Sequence, residues 1–156
     1  MKIDKRLLLI CIAIPVLTGL IAGILTGGGM ETFAGIDKPP LSPPGWLFPV
    51  VWTILYTLMG ISSYIVITSG KPQEQTSDAL RIYIVQLAVN FMWPFLFFTM
   101  GWYLFAFIWL VLLWILVFIM IVMFKDISKL AAYLNIPYLV WLTFAGYLNF
   151  AIWILN

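Results

Sequence analysis

The stretch from Ile82 to Phe124 contains no Asp, Glu, Lys, Arg or His. A helix crosses the hydrocarbon core of a bilayer with about 20 apolar residues, so this stretch is long enough for two crossings. The whole chain of 156 residues is 64% hydrophobic and 9% charged, which lies far outside the composition of soluble domains. The sequence therefore predicts a single transmembrane domain over residues 1–156, and its function is expected inside the bilayer.

Glycine, proline and charged residues divide the chain into apolar segments and predict an all-α membrane protein, a bundle of five transmembrane helices. The predicted helices cover residues 7–26, 46–68, 79–100, 102–124 and 130–155. A long proline-rich loop over residues 28–45 joins the first two, and a polar loop that ends at Asp78 precedes the third. The loop prolines fix φ and favour extended neighbours, which predicts a stiff lid: Pro39, Pro40, Pro43 and Pro44.

The basic residues predict the orientation of the five crossings. Seven of the eight fall on the side of the N-terminus: Lys2, Lys5, Arg6, Lys71, Arg81, Lys125 and Lys129. Lys38 alone falls on the other side, so the positive-inside rule predicts a cytoplasmic N-terminus, with the first loop and the C-terminus outside. The apolar run after MKIDKR is too long for a signal peptide and lacks an A-x-A cleavage pattern at Gly27–Gly29, so it is interpreted as the first span.

Several site classes are excluded by composition. The chain has no histidine, the usual general base and the commonest axial ligand of haem iron, so neither a His-ligated metal site nor a Ser-His hydrolase is expected. The one cysteine, Cys11, excludes an intrachain disulfide. A net charge of +2 from few groups does not indicate nucleic acid. No metal and no resident cofactor are therefore expected.

Aromatic residues of the second predicted helix suggest a pocket beneath the loop. Trp52 and Tyr56 are four residues apart and share a helix face, and Gly60 leaves space one turn further along. On the first helix, Gly23 and Thr26 are candidates to border the same cavity. Plain helix packing remains the alternative for all of these residues.

The third predicted helix carries two polar residues on one face, Gln86 and Asn90, one turn before Pro94. Because proline has no N–H to donate to the Asn90 carbonyl, the helix is locally open there. Asn90 either contacts a ligand or joins helices by hydrogen bonding. Trp93 lies on the same side of this helix as Asn90.

On the fifth predicted helix, four residues of one stripe lie at successive intervals of four: Pro137, Trp141, Ala145 and Asn149. Small Ala145, with Leu148 beside it, would form a notch in a pocket wall, and an ordinary seam between helices is the alternative. With a rise of about 1.5 Å per residue, Trp141 lies at the depth of Trp52 and Asn90, which favours the pocket.

Four segments then carry a family resemblance: WLFPVVWTILYTLMGISSYIV, NFMWPFLFF, MGW and PYLVWLTFAGYLN. In this order they resemble the translocator protein family, also called tryptophan-rich sensory protein or peripheral-type benzodiazepine receptor, from Pro15 to Asn149. The resemblance implies a bacterial-type member in the bacterial cell membrane and a homodimer. It also implies a pocket beneath the first loop for porphyrins and for benzodiazepine- or isoquinoline-type ligands.

The resemblance also assigns site residues. It places Trp52 and Trp141 in a light-dependent oxidative breakdown of protoporphyrin IX proposed for bacterial members. The ligand-binding residues that it implies are Gly23, Thr26, Pro43, Leu47, Trp52, Tyr56, Asn90, Trp93, Trp102, Trp141, Ala145 and Leu148.

These observations favour a membrane receptor or sensor for protoporphyrin IX and similar hydrophobic ligands, with slow photo-oxidative turnover as a possible activity. A transporter of porphyrins or other amphipaths is the alternative, although the sequence offers no internal repeat and no intramembrane carboxylate to couple ions. A structural protein that binds a partner is a third hypothesis. Cholesterol binding is doubtful, because the residues after Tyr147 contain no Lys or Arg to complete the vertebrate motif.

Overall fold

The computed structural model describes residues 3–27 and 29–156. Five helical segments among them are long and apolar enough to cross a membrane: Lys5–Leu25, Leu47–Ile67, Gln73–Thr99, Tyr103–Ile127 and Lys129–Leu155. The predicted fold class, an all-α membrane protein with five such helices, is confirmed.

The helices surround a common interior. They are α1 Lys5–Leu25, α2 Met30–Gly35, α3 Leu47–Ile67, α4 Gln73–Pro94 with a π-helical turn Phe95–Thr99, α5 Tyr103–Ile127, α6 Lys129–Tyr133 and α7 Ile136–Leu155. In this arrangement α1 packs against α3 and α4, α3 packs against α4 and α6, and α5 packs against α4, α6 and α7. We call residues 29–46 the cap, and the end of the bundle that carries it the cap end.

Two predicted boundaries are wrong. The loop predicted over residues 28–45 contains the short helix α2, and the four prolines lie in the non-helical segment that follows it. The third spanning helix begins at Gln73 instead of 79, because Pro72 occupies the position before the first turn and its carbonyl accepts the Thr76 N–H. A polar run was interpreted as a loop, but it forms the first turns of a helix that extend beyond the apolar span.

The fifth spanning helix is divided in two, whereas one continuous helix was predicted. Pro137 lies in the first turn of α7 and has no N–H for the carbonyl of Tyr133, where α6 ends. The Asn135 side chain fixes the break by donating to Ser62 Oγ at 2.7 Å and to the Ala131 carbonyl at 2.9 Å. The break is thereby joined to α3.

Two glycines bring α1 and α3 into close contact. A Cβ atom on Gly60 would lie 2.7 Å from the Cys11 carbonyl oxygen and even closer to the backbone of Ile12. A Cβ atom on Gly19 would lie 2.7 Å from Cδ2 of the Tyr56 ring. Close backbone approach through small residues is a common basis of helix association in membranes, where no hydrophobic effect drives two apolar helices together.

Replacing Gly60 by alanine is predicted to destabilise the bundle by about 1–3 kcal/mol, because the new methyl group would overlap the α1 backbone. Thermal unfolding in detergent would measure the loss. Gly146→Ala is the matched control, since its added Cβ would meet its nearest neighbours at 4.0 Å. Equal melting temperatures for the two variants would contradict this account of the contact.

Candidate functional site

A cavity of about 390 Å³ lies at the cap end of the bundle interior. Side chains of α1, α3 and α4 form most of its wall, and Leu110 and Leu113 of α5 complete it. Aliphatic and aromatic groups dominate this lining. Concave apolar sites with few polar groups are typical of small-molecule binding.

Six of the predicted ligand-binding residues line this cavity. They are Gly23, Thr26, Trp52, Tyr56, Asn90 and Trp93. They come from three helices that are far apart in sequence. The structure therefore brings together the predicted residues of the first three spanning helices.

The other six predicted residues do not line the cavity. Ala145 and Leu148 are buried in the helix packing of α7, and Trp102 is 56% exposed just before α5. Pro43 and Leu47 lie half-buried at the cap end. Trp141 packs edge-to-face on Phe48, a cavity residue, with ring centroids 5.9 Å apart.

Helix geometry explains why Trp141 lies beside the cavity. Steps of four residues advance about 40° beyond a full turn, so a repeat of fours drifts around the helix. The buried residues of α7 form a stripe whose mean spacing is shorter than four residues: Tyr138, Leu142, Ala145, Leu148, Asn149 and Ile152. Pro137 and Trp141 each precede a residue of this stripe by one position; Pro137 is exposed, and Trp141 is half-buried at the edge of the core. The Trp141 indole N–H is buried without a hydrogen-bond partner among the described residues.

A chain of buried hydrogen bonds joins α3, α4 and α7 beside the cavity. The Tyr56 hydroxyl donates to Asn90 Oδ1 at 2.7 Å, and Asn90 Nδ2 donates to the Tyr138 hydroxyl at 2.6 Å. The Tyr138 hydroxyl donates to Gln86 Oε1 at 2.9 Å. We call these four residues the polar network.

Asn90 was interpreted either as a ligand contact or as a residue that joins helices by hydrogen bonding, and the partners of its amide distinguish between the two. Both ends of the amide are engaged in bonds to other helices, so Asn90 joins helices, although it also contributes to the cavity lining. Tyr138 is not among the residues that the sequence patterns predicted for the site. Tyr138 lies seven residues before Ala145, which places both side chains on one helix face. This spacing is the sequence signal that could have identified Tyr138.

The network also orients Trp52. The Trp52 indole stacks on the Tyr56 ring, with centroids 5.4 Å apart and planes 28° from parallel. It meets the Tyr138 ring edge-to-face at 6.0 Å. Since hydrogen bonds fix both tyrosines, the indole is held in a defined position on the cavity wall.

Three other polar groups of the wall are also satisfied within the protein. Trp93 Nε1 donates to Asn149 Oδ1 at 3.1 Å, and the hydroxyls of Thr26 and Thr53 donate to carbonyls of their own helices at 2.8 and 2.7 Å. An apolar ligand could therefore occupy the cavity without leaving these groups unpaired.

Comparison with known proteins shows to which family this chain is similar. A sequence profile of the TspO/MBR family matches residues 11–154, which include every cavity-lining residue. A tryptophan-rich protein TspO from Chlorobaculum tepidum is 39% identical over 124 residues, covering 80% of this chain and 78% of that protein. A translocator protein from Sus scrofa is 38% identical over 145 residues, covering 90% and 84%. A tryptophan-rich sensory protein from Cereibacter sphaeroides is 35% identical over 126 residues, covering 81% and 77%.

Asn90→Leu is predicted to lower the free energy of unfolding by about 1–3 kcal/mol, because the change leaves the buried hydroxyl of Tyr56 without its acceptor. Denaturant titration in mixed micelles would measure the difference. Thr57→Val is the control, since that hydroxyl bonds only to the Thr53 carbonyl of its own helix. A loss no greater than that of the control would show that the polar network contributes nothing to stability.

Proposed function

This chain belongs to the TspO/MBR family, and from that premise we propose that it binds porphyrins, above all protoporphyrin IX, in the cavity between α1, α3 and α4. Family membership supports a role as a membrane receptor or sensor. Benzodiazepine- and isoquinoline-type compounds, which are also aromatic and largely apolar, are proposed to occupy the same cavity.

The observation that carries the proposal is the aromatic wall. Trp52, Tyr56 and Trp93 line a cavity whose volume of about 390 Å³ falls within the usual range for small-molecule sites. A flat conjugated ligand gains from apolar burial and, where it stacks on an indole, about 0.5–1.5 kcal/mol more. Because Tyr56, Asn90 and Trp93 already form hydrogen bonds within the protein, such a ligand would leave their polar groups paired.

A metal-free tetrapyrrole suits this chain better than haem. With no histidine in 156 residues, the commonest axial ligand of haem iron is missing. The propionates of a porphyrin would remain at the cap end, since burying them unpaired costs several kcal/mol. Lys38 is a candidate partner there: its ammonium donates to the carbonyls of Ala34 and Ile36, and an ammonium has three N–H groups.

We further propose that bound protoporphyrin IX is broken down in light, with dioxygen as the oxidant. The excited porphyrin would transfer its energy to dioxygen, and the resulting singlet oxygen would add both of its atoms across a double bond of the macrocycle or of a nearby indole. Trp52 lines the cavity and would hold the macrocycle there, so that less pigment is bound and broken down when the indole is removed. Trp141, separated from the cavity by the Phe48 ring, would act less directly.

Orientation and assembly complete the proposal. The distribution of basic residues favours a cytoplasmic N-terminus in a bacterial cell membrane, which would place the cap and the cavity on the outer side. Membership in the family favours a homodimer. Both are proposals about an integral membrane protein.

Trp52→Phe is predicted to weaken protoporphyrin IX binding about tenfold, because the smaller ring loses contact area and stacking with the ligand. Titration of the quenching of tryptophan fluorescence would give the dissociation constants. Trp114→Phe is the control, since Trp114 bonds to Thr143 outside the cavity. Equal affinity for the wild type and Trp52→Phe would count against the proposed pocket.

Under illumination in air, Trp52→Phe is predicted to slow the loss of protoporphyrin absorbance several-fold, and Trp141→Phe to slow it less, in keeping with their distances from the cavity. Absorbance spectra would follow the pigment, and mass spectrometry would detect a gain of two oxygen atoms on Trp52 in the wild type. Undiminished pigment loss in both variants would exclude the tryptophans from the reaction.

A further inference from the structure

We propose that ligands reach the cavity sideways from the bilayer, through a gap between the cap-end halves of α1 and α3. The inference rests on the proposed function, because it concerns the route by which ligands of that cavity arrive. It also specifies the class of ligand that the cavity would take, namely molecules that are already dissolved in the membrane.

The two helices are in tight contact only on one side of the cavity. Away from the cap, Gly60 lies against the backbone of Cys11 and Ile12, and nearer the cap Gly19 lies against the ring of Tyr56. None of these positions leaves room for a methyl group. The contact therefore holds α1 and α3 together from their far ends as far as Gly19.

The next glycine of α1 makes no such close contact. A Cβ atom on Gly23, one turn closer to the cap, would meet no described atom within 4 Å outside its own helix. Leu20 and Ile24 line the cavity and are 55% and 68% exposed. Across from them on α3, Pro49 and Thr53 are likewise both cavity-lining and exposed. These four residues border what we call the side gap.

The cap is fastened to α7 by hydrogen bonds. The Asn156 side chain bonds twice to Asp37, accepting its N–H and donating to its carbonyl, both at 3.0 Å. The Tyr147 hydroxyl donates to the Pro40 carbonyl at 2.9 Å. Lifting the cap would break all three bonds.

Aromatic contacts close the cap end further. Phe33 of α2 is buried and packs edge-to-face on Phe48 of the cavity wall, with centroids 5.1 Å apart. The Phe98 ring lies directly against the backbone of Gly29, where a Cβ atom would come within 2.7 Å of it. Access from the water phase would require these rings to separate.

The side gap opposes passage much less. Its one hydroxyl, on Thr53, already donates to the Pro49 carbonyl, so a ligand passing it breaks no bond between helices. The remaining border consists of carbon. A hydrophobic ligand partitions into the hydrocarbon of the bilayer before it meets the protein, so the side gap faces the phase in which the ligand is most concentrated.

The test is a size series at Ile24 in protein reconstituted in nanodiscs. Release of bound protoporphyrin IX into excess empty vesicles, followed by recovery of tryptophan fluorescence, gives the rate. The expected order is Ile24→Ala faster than wild type and Ile24→Trp slower, each by about fivefold or more, as expected for a gate. Ile21, 47% exposed but absent from the cavity wall, supplies the matched controls Ile21→Ala and Ile21→Trp, with rates near wild type.

A second arm tests the competing route through the cap. Tyr147→Phe and Asn156→Ala release the bonds that fasten the cap, and release rates close to wild type are expected for both. Acceleration by these cap variants, or an Ile24 series that matches the Ile21 series, would overturn the inference. If the wild type itself shows no quenching by protoporphyrin IX, the proposed function fails. If it binds and only the Ile24 ordering is missing, the inference alone fails.

Discussion

The hydrogen bond between Tyr56 and Asn90 is the interaction on which the interior of this protein depends. Within a bilayer no water competes for a buried amide, so a polar group that finds no partner in another helix or in its own backbone costs several kcal/mol. Asn90 does so in both directions, toward Tyr56 on α3 and Tyr138 on α7, and Tyr138 continues to Gln86. Measured bonds of this kind contribute only about 0.6–2 kcal/mol each, but their directions fix the mutual orientation of three helices.

That orientation explains why the cavity has one well-defined aromatic wall. Trp52 stacks on one tyrosine of the polar network and touches the edge of the other, so the network positions a residue that makes none of its hydrogen bonds. The bundle is also unequally closed. Hydrogen bonds and phenylalanine contacts fasten the cap, whereas the close contact made by Gly19 does not recur at Gly23, and on this difference we base the proposed lateral route to the cavity.

Much of the architecture could be predicted from the sequence, because membrane insertion depends on composition over windows of about 20 residues. The apolar segments gave the five spans, and Trp52 and Asn90, predicted to lie near one depth on two different helices, both line the cavity. Predictions failed where a local rule was extended too far. Polarity before Asp78 was taken for a loop, and a strict repeat of fours on the last helix assigned Trp141 to the buried stripe, which passes through Tyr138 instead.

The sequence by itself determined that this chain spans a membrane with five helices, where those spans lie, and that indoles and amides are present inside them, since these follow from hydropathy and local helix periodicity. Only the tertiary structure decided which partners the polar groups choose and where α1 and α3 come into close contact. Those outcomes depend on contacts between residues far apart in the chain: Gly60 against Cys11, and Asn90 between two tyrosines. Because a helix can rotate about its axis at nearly constant hydropathy, no local pattern fixes such contacts until the neighbouring helices are in place.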